Sequence, residues 1–365
     1  MSTAFHEADT IAQVNQLSWQ LLQFLWSHNP PSGGTAVSPV SIATAVCILG
    51  GFADGEVPAS IDSILQSIPS SSTITWKKGV FTGKRPTFSP SFASSVSRYG
   101  PMMVLRESTL ENLIYEIDQY FMTEDPNRSI DMKLSPESLT ASHDATSASS
   151  HIVLASALMI SLPFHHLFSP SKIAKTTFNL LDGTTAQIDM MHCTNQQLLV
   201  KHHAAYTAVR LPFGAQAHPN YSLIAYLPRT RHSVEHLLRF SSVQASSTEG
   251  FTKTFVSTFV IPKFHTKARY NLKDILPLLG LSLPQKYSHV TLDGDTAVDQ
   301  MLQGVSVVFD PWSVRDPQPP SPPTLHSDLP RMDSLCFNCP FVFTIKGREA
   351  DVPLLCGVFD RTESD

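Results

Sequence analysis

Several features that would assign a biochemical class are scarce in this chain of 365 residues. Its five cysteines are odd in number and scattered, which is typical of reduced thiols rather than of a disulfide framework. Charged residues make up only 16% and the net charge is -5, so no basic surplus exists to attract nucleic acid. No run of 18 apolar residues predicts a membrane span. We therefore expect neither a nucleic-acid nor a membrane partner.

Targeting signals are also missing at the N-terminus. The segment "MSTAFHEADTIAQ" has neither the cationic start nor the apolar run of a cleavable signal peptide. A cytoplasmic location is the default expectation, and extracellular export without a cleaved signal stays open.

Sequence motifs of catalytic sites are absent as well. The chain contains none of the patterns GxGxxG, GxxxxGK[ST], GxSxG or HExxH, which would hold a phosphate, a nucleophilic serine or a zinc ion. Cys336 and Cys339 form a CxxC pair, but no second cysteine pair or nearby histidine completes four ligands. We expect no metal, no cofactor and no enzyme activity.

Helical patterns occupy the first 120 residues. Apolar residues at spacings of three and four predict a helix over 11–26. A second helix begins with Ser38 as N-cap and Pro39 at the first helical position, and is apolar nearly all round, which indicates burial. Residues 66–150 are weakly patterned, with one helix near "TLENLIYEIDQYF" and a basic pair, Lys77 and Lys78, that reads as a solvated face.

Strand patterns dominate from residue 151 onward. The run "HIVLASALMISL" suits the centre of a sheet, and Asp182-Gly183 marks a tight turn between two further strands. Six more strand-like segments follow, among them "MLQGVSVVFD" and "FVFTIKG". Segregated helices and strands predict an α+β fold.

Five of these segments, in consistent order, resemble one family, the serpins. "SPVSIATAV" is similar to the serpin motif S-P-x-S-I-x-x-A, and "FNLLDGTTAQIDMMH" to F-x-x-x-D-G-x-x-x-x-V-x-M-M. "FVIPKFHTKARYNL" resembles the stretch P-K-F…Y-x-L, "FNCPFVF" resembles F-N-x-P-F-x-F, and "LLCGVF" resembles the closing strand. The resemblance implies a serpin fold of three β-sheets and about nine helices, in one monomeric domain over 1–365 with an exposed reactive loop at about 311–336.

In inhibitory serpins a target protease cuts this loop, and the N-terminal arm of the loop then inserts into the main sheet as a new strand. Such arms carry a glycine-containing turn and small residues, mostly alanine. Residues 311–323, "PWSVRDPQPPSPP", have neither glycine nor alanine. Proline has no N–H for a sheet ladder, so this hinge should not insert. The hinge residues on which this prediction depends are Pro311, Trp312, Arg315, Pro317, Pro319 and Pro320.

Positions at the centre of the sheet depart from the family pattern in the same direction. The resemblance aligns Phe164 with a usual tryptophan, Ser156 with a usual asparagine and Gln303 with a usual histidine, whereas Ser38 and Ser41 match. In serpins these polar groups hold the sheet centre together while letting it open. Their replacement implies less demand for opening.

The sequence therefore favours a non-inhibitory serpin that binds or scaffolds, and leaves three readings of the loop open. The loop is a divergent segment without a role, or a ligand for a proline-motif-binding domain through its PxxP patterns, such as Pro317–Pro320. The third reading is an inhibitor of a serine or cysteine endopeptidase, with a scissile bond near 325–332. Its candidate reactive-site residues are Leu325, Leu329, Arg331 and Met332.

Overall fold

The computed structural model describes part of the chain. The described residues are 7–28, 34–49, 62, 65, 68, 73–82, 87–99, 102–104, 110–122, 132, 152–162, 164, 167–213, 221–229, 234–244, 249–279, 287–292, 294–296, 298–310, 329–347 and 352–360. Within them six α-helices occur, fewer than the nine expected: α1 (Glu7–His28), α2 (Pro39–Ile48), α3 (Pro90–Tyr99), α4 (Leu110–Met122), α5 (Val234–Gln244) and α6 (Leu272–Ile275).

The same residues contain 16 strands. They are β1 (Thr35–Val37), β2 (Ile74–Thr82), β3 (Met102–Val104), β4 (Ile152–Ser161), β5 (Ile173–Asn179), β6 (Thr185–His202), β7 (Tyr206–Phe213), β8 (Tyr221–Pro228), β9 (Thr252–Pro262), β10 (Phe264–Asn271), β11 (Tyr287–Thr291), β12 (Gly294–Thr296), β13 (Val298–Phe309), β14 (Arg331–Cys336), β15 (Phe341–Gly347) and β16 (Leu355–Phe359).

The strands form three sheets, as expected. A nine-stranded sheet has the order β1-β16-β15-β8-β7-β6-β9-β14, with β5 paired to β6. A five-stranded sheet has the order β10-β13-β4-β2-β3, and β11 pairs with β12. The two larger sheets pack around one apolar core in which phenylalanines are prominent, with Phe264 and Phe309 ring centroids 5.3 Å apart. The α+β prediction is confirmed.

Helix α2 illustrates how local sequence sets this arrangement. The Ser38 side chain accepts a hydrogen bond from the N–H of Ser41, and Pro39 occupies the first helical position, where no N–H is needed. Nine of the ten residues of the helix are buried, as its apolar sequence predicts. The helix therefore lies inside the molecule, against the five-stranded sheet.

The sequence interpretation of residues 66–150 was wrong in part. It expected loops and one helix, whereas the structure has β2, α3 and β3 there in addition to α4. The side chain of Lys77, read as solvated, is buried and donates from Nζ to the carbonyl of Tyr120 at 2.8 Å. Because two lysines interrupt the apolar alternation of β2, the sequence pattern did not predict this interior strand of the sheet.

Candidate functional site

The seam between β4 and β13 is the centre of the five-stranded sheet. The two strands are parallel and pair directly, with a register that runs from Val298 opposite Ile152 to Val308 opposite Ser161. Beyond β4 the N–H of Leu162 donates to the carbonyl of Val308 at 2.9 Å. The seam is therefore closed along the full length of β4.

The chain leaves this seam at Asp310, immediately after β13. The Asp310 carboxylate accepts an ion-pair contact from Lys263 Nζ at 2.9 Å. Lys263 is itself held by its backbone, whose N–H donates to the carbonyl of Asp189 at 2.8 Å. One end of the predicted reactive loop is thus fixed where the two large sheets meet.

The other end of the loop joins the nine-stranded sheet. The carbonyl of Pro330 accepts from the N–H of Phe255 at 2.8 Å, and β14 then pairs in parallel with β9. Arg331 lies opposite Phe255, with its guanidinium carbon 5.9 Å from the centroid of that ring, and Met332 lies opposite Val256. The backbone at Arg331 and Met332 therefore belongs to a sheet ladder.

The predicted loop residues fall into two groups. Leu329, Arg331 and Met332 are described, and of these the Arg331 side chain is exposed while the other two are partly buried. Leu325 lies outside the described residues. So do the six hinge residues, which are Pro311, Trp312, Arg315, Pro317, Pro319 and Pro320.

A first hydrogen-bond chain links α2 to the sheet centre. Trp76 Nε1 donates to Ser156 Oγ at 3.0 Å, and Ser156 Oγ donates to Ser41 Oγ at 3.0 Å. Ser41 and Ser156 are buried. The chain crosses from β2 through β4 to α2, so it connects one side of the seam to the helix that covers it.

A second chain connects the other side of the seam to the same helix. Tyr270 donates from its hydroxyl to Gln303 Oε1 at 2.8 Å and accepts from the N–H of Ser38 at 3.2 Å. Ser38 Oγ also donates to the carbonyl of Leu354 at 2.9 Å. Burial raises the pKa of the Tyr270 hydroxyl, so it stays a donor. The structure thus brings Ser38, Ser41, Ser156 and Gln303 together beneath α2.

Phe164 lies at the far end of β4. It is fully buried, and its ring centroid lies 5.4 Å from that of Phe309 and 5.9 Å from that of Phe213. Phe309 also stacks edge-on with Phe168 at 6.1 Å. An apolar aromatic cluster therefore covers the end of the seam next to the loop.

A family model described as serpin (serine protease inhibitor) matches residues 53–361, which is more than half of the chain. The chain belongs to the serpin family. The recognition made from the five sequence motifs is confirmed.

Plant serpins are among the similar proteins. Serpin-Z7 of Hordeum vulgare is 25% identical over 296 residues, 71% of each chain. Serpin-Z10 of Arabidopsis thaliana is 28% identical over 142 residues, which are 38% of this chain and only 36% of the relative. The solved structure of Arabidopsis AtSerpin1, in its native stressed conformation, aligns over 98% of both chains with a TM-score of 0.76 at 15% identity. The serpin fold is therefore confirmed.

Sequence reasoning missed three participants at the centre of this serpin. Trp76 and Lys78 belong to β2, which the sequence pattern did not predict, and Tyr270 appeared only as the Y of the motif P-K-F…Y-x-L. The sheet register is what groups these residues: Lys78, Ser156, Gln303 and Tyr270 lie directly opposite one another across four neighbouring strands. Among the described helices, none is long and apolar enough to cross a membrane.

Proposed function

We propose that this chain is a non-inhibitory serpin, which acts as a binding or scaffold protein and does not insert its loop as a sheet strand. One observation carries the proposal: the arm that would have to separate β4 from β13 is rich in proline. Between Pro311 and Pro323 the arm contains six prolines and neither glycine nor alanine. No enzyme activity is proposed, since no nucleophile motif occurs in the sequence.

The spacing of the prolines determines which hydrogen bonds an inserted arm would lose. In a strand that follows β13 and runs antiparallel to it, alternate residues pair with opposite neighbours. The prolines at 311, 317, 319 and 323 share one parity, and so would leave one neighbouring strand short of four donors. At about 1 kcal/mol for each hydrogen bond, six prolines remove about 6 kcal/mol of pairing. That loss is comparable with the total stability of many proteins.

Two large side chains add a steric obstacle to insertion. Trp312 and Arg315 are three residues apart, so in a strand they would point to opposite faces of the sheet. All ten residues over Val298–Val307 are buried, as are eight of the ten residues of β4, so both faces of the seam are covered. Whichever register the arm adopted, one of the two side chains would enter the packed interior.

The loop offers a recognisable ligand pattern instead. Pro317–Pro320 and Pro320–Pro323 both follow PxxP, and such segments adopt polyproline II, which SH3 and WW domains bind at low entropic cost. We propose a proline-motif-binding domain as the partner.

Inhibition of an endopeptidase is the second candidate, favoured by the exposed side chain of Arg331. A protease cleft takes its substrate as an extended segment, and the backbone from Pro330 to Met332 is engaged in the pairing of β14 with β9. Cleavage at Arg331 would require β14 to detach. A bond between Leu325 and Leu329 precedes β14 in the chain, so an inhibitory mechanism would use that part of the predicted 325–332 window.

Incubation with endopeptidases tests the choice between the two. Equimolar mixtures with trypsin-like, chymotrypsin-like and papain-like enzymes are run on denaturing gels. We expect cleaved serpin and fully active protease, because an arm that stays outside the sheet cannot trap the acyl-enzyme. A covalent serpin–protease band that survives denaturation would contradict the proposal. A loop peptide over 311–328, tested against SH3 and WW domains with a proline-to-alanine control, measures the proposed binding.

A further inference from the structure

A small cavity lies between α2 and the centre of the five-stranded sheet. Its volume is about 20 Å³, and its polar lining residues are Ser41, Thr44, Lys78, Ser156 and Gln303. A cavity needs about 10–15 Å³ to hold one water-sized particle, so this one has room for one water or one small ion.

One donor in this cavity has no partner. Gln303 is only 2% exposed, and its Oε1 accepts from the Tyr270 hydroxyl. Its Nε2, which carries two protons, makes no hydrogen bond within the described part of the chain. An unpaired buried donor costs about 1–3 kcal/mol, so a ligand that accepts from it is favoured.

The direction of donation supplies a second donor. The Trp76 indole can only donate, so the Ser156 oxygen accepts a hydrogen bond from it. The Ser156 hydroxyl in turn donates a hydrogen bond to Ser41 Oγ. The proton of the Ser41 hydroxyl must then point onward, and no described residue accepts it. Thr44 makes no such contribution, because its hydroxyl donates to the carbonyl of Val40 at 2.8 Å.

Lys78 adds positive charge to the same wall. It lies directly opposite Ser156, which lies opposite Gln303, so the three side chains point to one face of the sheet. The Lys78 ammonium sits 4.0 Å from the centroid of the Trp76 ring. Burial lowers the pKa of Lys78 to about 8, and Cys47 opposes that shift; no described carboxylate contributes to it.

We propose that this cavity is a binding site for one small monovalent anion of the size of chloride or formate, held by Gln303 Nε2, the Ser41 hydroxyl and Lys78 Nζ. These three groups are donors, and the Lys78 ammonium has no carboxylate partner among the described residues, so an anion balances its charge as a neutral water does not. An anion satisfies all three. By joining α2 and β2 to β13, it would also hold the seam closed, a consequence beyond the proposed binding function.

Thermal unfolding in different sodium salts at constant ionic strength tests the site. Chloride and formate fit the cavity, whereas gluconate is too large. We expect the unfolding midpoint to rise with chloride or formate concentration and to saturate, while gluconate has no such effect, because a ligand that binds only the folded state stabilises it by mass action. A midpoint with the same dependence on all three salts would overturn the proposal.

Variants locate the effect. Lys78→Met should abolish the saturable rise, whereas Lys175→Met, on the exposed surface of β5, removes the same charge and should keep it. Gln303→Glu keeps an oxygen for Tyr270 but replaces the donor, and should abolish the rise as well. Since a variant could fold poorly, crystals of the unchanged protein soaked in bromide provide an independent test by anomalous diffraction. An anomalous peak between Gln303 and Ser41 supports the site, and a water without anomalous signal refutes it.

Discussion

Removal of the buried Tyr270 hydroxyl should show how much its hydrogen bonds contribute to the free energy of unfolding. In Tyr270→Phe, the N–H of Ser38 and Oε1 of Gln303 both lose their partner, at 3.2 and 2.8 Å. Both residues are almost fully buried, so bulk water does not reach the two groups. Each loss costs about 1–2 kcal/mol, and we expect the free energy of unfolding to fall by about 2–4 kcal/mol.

The assay is urea denaturation followed by tryptophan fluorescence, with Tyr206→Phe as the matched control. The Tyr206 ring is equally buried, but its hydroxyl makes no hydrogen bond among the described residues. We expect that control to change the free energy of unfolding by less than about 1 kcal/mol. Equal effects of the two variants would refute the view that the Tyr270 hydroxyl links α2 to β13.

Three further outcomes follow from the packing and charge of the described residues. Gly357→Ala should destabilise the fold by about 1–3 kcal/mol in urea, because the new Cβ would lie 2.5 Å from the Phe343 ring; no loss would contradict this packing. Asp310→Asn should cost less than about 1 kcal/mol, since its ion pair with Lys263 is partly exposed, and a larger loss would assign the pair a structural role. Burial raises the pKa of the Cys47 thiol from 9.0 to about 12, so iodoacetamide at pH 8 should leave Cys47 unlabelled in the folded protein. The free energy of unfolding should fall from pH 9 upward, because above that pH the thiol loses its proton only in the unfolded chain. Equal labelling rates with and without urea would contradict this prediction.

Much of the fold could be predicted because local signals agree with the tertiary structure. The cap at Ser38, the periodicity of α1 and the apolar run of β4 each lie where the pattern indicated. Gly183 has φ +85°, a conformation that favours glycine, and it turns the chain between β5 and β6 as Asp182-Gly183 predicted.

The candidate site was less predictable because its contacts are distant in sequence. Ser41 and Ser156 are 115 residues apart, and no local pattern announces their hydrogen bond. The family resemblance selected these two positions and Gln303, but the role of Lys78 depends on a register across three strands. Strand β2 escaped notice because a lysine on each face broke its alternation: Lys77 faces α4 and Lys78 faces α2.

The most direct test of the central claim is the thermal unfolding midpoint before and after a single cut within residues 312–328, verified by mass spectrometry. We expect no rise in the unfolding midpoint of the native sequence, because the prolines keep the cut arm out of the β4–β13 seam. A control in which the six prolines between 311 and 323 become alanine should gain stability once cut. A large rise in the midpoint of the native sequence would contradict the proposed non-inhibitory function and identify an inserting, inhibitory serpin.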